Sequence, residues 1–297
     1  MKKVLVIGGS GFIGRHLVHE LAVQGFMVYV MVHRNPVPSA NEINPIRGGI
    51  SAVDRKLIDR LGPDVVFHVA RPAFPLLRKP GRILSARYAE YLNRRLLHEI
   101  ESSQRKPDVV FASGSLMYGP TPMPVYEDQP LHPYSFARQY YRGELPLLDA
   151  LHQSRVNVKI IRFPWLLGKG SWFEWFYMEP VRKYGTIPLY GAGNNKMEII
   201  DISDAMKLTV RIADEDFQYE ICNLVTSGAI TQLEFASTLQ TVLTLPVVDY
   251  REFFKRKPEK EAIQAFTSSI ELATRHQDLF SGFQYTPLEA TLRQITG

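Results

Sequence analysis

Cysteine is nearly absent from this chain of 297 residues: there is one, Cys222. An intramolecular disulfide and a cysteine-built zinc site are therefore excluded. Cys222 lies in the apolar run Tyr219-Glu220-Ile221-Cys222-Asn223-Leu224 and reads as a small core residue rather than a nucleophile. Long hydrophobic runs are missing too. After Met1-Lys2-Lys3 the first apolar stretch ends at Ile7, too short for a signal-peptide core, and no later run approaches a membrane span. The expectation is a cytoplasmic protein with no membrane partner. There is no internal repeat and no low-complexity tract. The net charge of +5 and the pI near 9.2 favour anionic ligands such as phosphates, or simply a solvated basic surface. No stripe of Arg and Lys with interleaved aromatics accompanies that charge, so nucleic acid is not the expected partner. Asp201 and Asp204 lack companions at metal-ligand spacing, and no metal is expected.

What is present is the composition of a globular protein, 45% hydrophobic and 22% charged. The first half alternates short β-branched runs with amphipathic stretches. Residues 4–7, 28–32, 64–69, 108–112 and 158–162 read as strands, and residues 14–24 and 87–102 as helices. Solid apolar strands alternating with helices predict an α/β fold, a Rossmann-like doubly wound parallel sheet covered on both faces. The expected division is a dinucleotide-binding domain over residues 1–165, with returning segments near 198–225. A smaller C-terminal substrate lobe takes most of residues 166–297, including a helix over 231–244. The aromatic run Trp172-Phe173-Glu174-Trp175-Phe176-Tyr177 either stacks on a substrate or packs the core of that lobe.

The sharpest motif is Gly8-Gly9-Ser10-Gly11-Phe12-Ile13-Gly14, directly after the first strand and before the first helix. Glycines there let the backbone turn tightly and approach a pyrophosphate, and the helix N-terminus offers it unpaired N–H groups. The second strand ends in Val32-His33-Arg34. It carries no carboxylate to repel a 2′-phosphate, and Arg34 is placed to clamp one, so NADP is favoured with NAD as the alternative.

With these features the chain resembles the extended short-chain dehydrogenase/reductase, or NAD-dependent epimerase/dehydratase, family over nearly its whole length. Phe67-His68-Val69-Ala70 is similar to the strand that passes under the cofactor, and Asn93 to the asparagine of the following helix. Arg162-Phe163-Pro164 and Gly191-Ala192-Gly193 through Asp204-Ala205 resemble later family segments. The resemblance implies cofactor contacts from Gly8, Gly11, Phe12, Ile13, Gly14, Arg34, Ala70, Asn93, Tyr134 and Pro164. It also implies an acid/base tyrosine, a lysine four residues on, and a serine or threonine holding the substrate oxygen.

The active-site motif departs from that pattern. Pro133-Tyr134-Ser135-Phe136-Ala137-Arg138 supplies Tyr134 but puts Arg138 at the lysine position, and no lysine occurs between Lys106 and Lys159. Arginine keeps a positive charge near the phenol but cannot place its donors as an ammonium does. In Ser113-Gly114-Ser115 the hydroxyl position falls on Gly114, flanked by Ser113 and by the preferred candidate, Ser115. Gly49 stands where an acidic residue often meets adenine, and Met197, beside Lys196, where nucleotide-sugar enzymes carry a diphosphate-binding arginine. The reading is an NAD(P)-dependent oxidoreductase or epimerase/dehydratase for a small hydroxyl- or carbonyl-bearing substrate. The alternative is an NADP(H)-binding sensor or scaffold without turnover. A homodimer through helices spanning 87–101 and 134–152 fits the resemblance.

Overall fold

β1 (Lys3–Ile7) reads Lys-Val-Leu-Val-Ile, and Val4 to Ile7 are fully buried. A strand apolar on both faces belongs at the centre of a parallel sheet. In the structure, a computed structural model that describes residues 1–33, 42–72, 78–120, 123–153, 156–214, 219–252 and 260–297, that is where it lies. β1 pairs in parallel with β2 (Met27–Val32), which pairs in turn with β3 (Ile43–Arg47). On its other side lies β4 (Val65–His68), followed by β5 (Asp108–Gly114) and β6 (Val158–Phe163). The strand Ile221–Asn223 completes a seven-stranded sheet.

Helices cover it. α1 (Phe12–Val23) buries Gly14, Leu17, Val18 and Leu21, an i, i+3, i+4, i+7 stripe. α2 (Arg55–Leu61) starts on Asp54, whose carboxylate accepts the Leu57 N–H at 2.8 Å, and stops on Gly62 in the left-handed region. α3 (Arg78–Glu101) and α4 (Arg138–Gln153) pack together. Ile58, Leu96, Ile100 and Leu147 meet Leu5, Ile7, Val66, Val109 and Ile160 of the sheet in one core. Each such side chain contributes roughly 1.5–3 kcal/mol of burial free energy.

Beyond shifts of one or two residues at element ends, the structure departs from the sequence reading at β3, α3 and α4. β3 carries Pro45 and polar residues, so no strand is legible there; among the described residues it pairs only with β2, and an edge strand tolerates proline. α3 begins at Arg78 rather than near residue 87, because Pro80 falls in its first turn, where a missing N–H costs little. α4 begins at Arg138 instead of 134, the N–H groups of Tyr140 and Tyr141 both donating to the Ala137 carbonyl.

The chain divides into two units. The first comprises Met1–Ser113, Ala137–Arg162 and Met206–Cys222, and contains the sheet. The second comprises Gly114–Phe136, Phe163–Ala205 and Asn223–Gly297. Gly114–Phe136, expected with the first unit, goes with the second for a visible reason. The buried Asn223 amide donates to the carbonyls of Val125 and Ala273, and the Glu127 carboxylate accepts from Asn223 N–H, the Thr274 hydroxyl and Arg275 N–H.

Within the second unit, Trp165–Leu167 pairs with Ile199–Asp201 and Ile187–Leu189 with Val247–Asp249. The helix Gln232–Leu243 opens on a Thr231/Glu234 capping box. Of the two readings of the aromatic run, core packing is observed. Phe173 and Tyr177 are buried against Phe235, and Trp172 lies between Phe235 and Phe266, each ring at 5.5 Å. Trp175 alone of the run is mostly exposed, at 63%.

Candidate active site

The first unit builds the phosphate cradle. Gly8 has φ +98°, and a Cβ there would lie 2.6 Å from the Ala70 nitrogen. A Cβ on Gly14 would come within 2.0 Å of the Gly8 oxygen. Neither position admits a side chain. Gly11 N–H donates to the Gly8 carbonyl at 3.0 Å, and the chain then enters α1. Among the described residues no side chain caps that helix and its first turn carries no acid, which leaves its N-terminal amides open to an anion. The loop thus fits a dinucleotide: the backbone is bare where a diphosphate approaches, and the field there is positive.

Ala70 abuts this loop, two residues past His68, where β4 ends. That histidine is 1% exposed, and its Nε2 lies 2.8 Å from Asn93 Oδ1. The Asn93 amide nitrogen donates to the Gly143 carbonyl at 2.7 Å, which fixes the orientation of the amide. Nε2 must then carry the proton, and Nδ1 keeps a bare lone pair with no partner among the described residues. Burial pushes the His68 pKa down to about 4, so the ring is neutral at pH 7. Asn93 thereby ties β4 and α3 to α4.

Ser113 is not a free hydroxyl. It donates to Glu144 Oε2 at 2.5 Å and accepts from Arg162 Nη1 at 3.1 Å. Arg162 Nη2 in turn donates to Glu144 Oε1 at 2.6 Å. Ser115 opens the 3-10 turn Ser115–Met117 and is 4% exposed. The regular strand ends at Gly114, so the two serines do not share one strand face as alternation would place them.

Arg138 is the exposed first residue of α4. Tyr134 precedes the helix, in the second unit, 9% exposed and packed with Tyr118, Val125, Ile270 and Leu272. Pro164 is buried between β6 and the strand Trp165–Leu167. Arg34 lies outside the described residues. The first unit therefore gathers Gly8, Gly11, Phe12, Ile13, Gly14, Ala70, Asn93, Ser113 and Arg138, while Ser115, Tyr134 and Pro164 belong to the second.

Three groups escaped the sequence reading. Glu144 carried no signal, because its partners lie on other elements. Tyr140 is a second phenol on α4, with the Arg71 guanidinium 3.7 Å from its ring centre, one residue past Ala70. Glu198, in the second unit, is 3% exposed, and its carboxylate accepts from the Thr226 N–H and hydroxyl. Burial raises its pKa to about 7.

Comparison with known proteins agrees with this geometry. The model of the NAD dependent epimerase/dehydratase family matches residues 4–224. An uncharacterised protein of Sinorhizobium fredii is 27% identical over 214 residues, and the match covers 69% of this chain but 51% of that one, about half its length. The ADP-L-glycero-D-manno-heptose-6-epimerase of Alkalilimnicola ehrlichii is 28% identical over 253 residues, 77% of either chain. Among solved structures, an NAD dependent NDP-hexosamine 5,6-dehydratase, TunA, shares the fold with a TM-score of 0.80 at 20% identity, covering 99% of this chain and 96% of that one. Among the described residues no helix is long and apolar enough to cross a membrane. The glycine loop, the sheet order around it and the family match over three quarters of the chain make one assignment: this chain belongs to the NAD dependent epimerase/dehydratase family.

Proposed function

We propose that this protein is an NADP(H)-binding enzyme acting on a small hydroxyl- or carbonyl-bearing substrate, in an oxidation, reduction, epimerisation or dehydration. The observation that carries the reading is the loop whose positions 8 and 14 leave no room for a Cβ, followed by an uncapped helix N-terminus. Gly8, Gly11 and Gly14 let the backbone approach the diphosphate, with amides from Phe12 and Ile13. Ala70 and Pro164 add further cofactor contacts, while Asn93, whose amide is committed to His68 and Gly143, positions the strand and helices behind them. The absence of a carboxylate in Val32-His33 supports NADP over NAD, and Arg34 joins it as a cation. A bound nicotinamide supplies the hydride donor or acceptor. Tyr134 holds or releases the hydroxyl proton and Arg138 provides positive charge. Ser115 holds the substrate oxygen, since the Ser113 proton is committed to Glu144. Sugar nucleotides form the first substrate panel to test, on the strength of the heptose epimerase relative.

The test is calorimetry with NADPH and NADH, followed by turnover read at the reduced-nicotinamide absorbance band. Tyr134→Phe should lower kcat by roughly 10²–10⁴, the usual worth of a general acid or base. An equal loss in Tyr140→Phe, with Tyr134→Phe unaffected, would move the role to the phenol beside Arg71.

A second reading, cofactor binding without redox turnover, draws on specific observations. Arginine replaces lysine at 138, and Tyr134 stands outside α4 in an apolar cluster. Tight NADPH binding with no turnover across a broad panel would select it.

We further propose self-association through α3. Its outer face exposes Ile83, Leu84, Tyr88 and Tyr91, with Tyr88 and Tyr91 stacked, and a homodimer would bury them.

A further inference from the structure

Strands β2 and β3 run in parallel with Val32 opposite Arg47. Arg47 therefore stands at the carboxyl end of the strand pair, beside the position that distinguishes a ribose hydroxyl from a ribose phosphate in dinucleotide-binding sheets. It does not stand alone. Lys56 and Arg60 are four residues apart on α2, hence on one helix face. All three side chains are exposed and border a single groove of about 370 Å³. Its apolar lining is Met31, Ile46, Ala52 and Leu57. The one acid in the lining, Asp54, already accepts the Leu57 N–H as the cap of α2. No hydrogen bond or ion pair engages the side chain of Arg47, Lys56 or Arg60 among the described residues.

Three cations against the single carboxylate of Asp54 leave the groove with a net positive charge, and like charges at i, i+4 weaken a helix. Bringing a dianion among them offsets that charge and forms charge-assisted hydrogen bonds, with the Arg47 fork suited to phosphate oxygens. The apolar lining adds contact area for a base or ribose. We propose that Arg47, Lys56 and Arg60 form a binding site for a phosphomonoester dianion carried on a nucleoside, and that its source is the 2′-phosphate of NADP(H). The assignment of the source rests on the dinucleotide reading above; the anion site does not. Arg47 and its two neighbours then set cofactor choice.

The experiment is calorimetry on the full chain at fixed ionic strength with four probes: NADP⁺, NAD⁺, 2′-AMP and 5′-AMP. Wild type should prefer NADP⁺ to NAD⁺ and 2′-AMP to 5′-AMP. Arg47→Ala should weaken NADP⁺ and 2′-AMP by roughly ten- to a hundredfold, the worth of a charged hydrogen bond, and leave NAD⁺ within about twofold. Lys56→Ala and Arg60→Ala should act in the same direction. Arg47→Lys should recover part of the loss, and melting temperatures should stay unchanged, because all three side chains are exposed. If NADP⁺ binds and Arg47→Ala leaves its affinity intact, the proposal is overturned. If neither dinucleotide binds, the dinucleotide reading fails by itself. In that case, 2′-AMP binding that is lost in Arg47→Ala keeps the anion site with a separate nucleotide as its ligand, and no 2′-AMP binding overturns the site as well.

Discussion

Arg162 Nη2 donates to Glu144 Oε1 at 2.6 Å, and each side chain is 1% exposed. A guanidinium and a carboxylate taken so far from water depend on each other: the pair joins β6 to α4 and leaves the Ser113 hydroxyl bonded to both. Removing one partner strands a buried charge, which costs about 3–5 kcal/mol. We expect Glu144→Leu to lose that much in urea unfolding, and the double variant Glu144→Leu with Arg162→Met to recover most of it. Equal losses in the single and double variants would show that the two residues do not act as a pair.

The glycines of the cradle should separate by role. A methyl on Gly14 would meet the Gly8 oxygen at 2.0 Å, and one on Gly8 would meet the Ala70 backbone at a positive φ. Gly11 has only one atom within 4 Å of such a methyl, at 3.3 Å. Gly14→Ala should therefore lower the melting temperature by several degrees, in line with about 1–3 kcal/mol of overpacking. Gly11→Ala should melt within about two degrees of wild type yet bind dinucleotide more weakly, because its methyl stands at the mouth of the helix. Calorimetry beside thermal unfolding distinguishes the two.

Two buried titrating groups oppose each other with pH. The folded pKa of His68 is about 4 against an ordinary value of 6.5, so the unfolded chain binds the proton first as pH falls. Stability from this group is present above 6.5 and is lost as pH drops toward 4, by an amount on the order of 3 kcal/mol. Glu198 has its pKa raised from 4.5 to about 7. Its contribution is full below 4.5 and is lost as pH rises through 7, by a similar order of magnitude. Between 4.5 and 6.5 the two nearly cancel. His68→Gln should therefore show stability falling as pH rises over that window, and Glu198→Gln stability falling as pH drops. Urea midpoints measured across pH 4–8 check both signs.

On the outer face of α3, Tyr91 is 60% exposed and Ile83 59%. A charge there adds nothing unfavourable to a monomer but is expensive inside an apolar interface. Tyr91→Glu should leave the melting curve of a monomeric sample unchanged and shift sedimentation from dimer to monomer. A wild type that sediments as a monomer at micromolar concentration would refute the dimer.

The amino-acid order alone determined the centre of this molecule. Val4 to Ile7 admit only a strand covered on both faces. The glycines at 8, 11 and 14 mark a tight turn into a helix, and the Leu17, Val18, Leu21 spacing sets which side of that helix is buried. Steric and periodic constraints of this kind act within a few residues, so they are written locally. Tertiary structure decided what depends on partners far along the chain. It made an edge strand of Ile43 to Arg47, tied Ser113 to Glu144 and Arg162, and turned every ring of the aromatic run at 172–177 except Trp175 inward against Phe235 and Phe266. It also held Tyr134 outside α4 and set Arg47 beside Lys56 and Arg60. Whether a polar side chain is spent or available is a property of its surroundings. Desolvation and pairing across tens of residues fix those surroundings, and no local pattern encodes them.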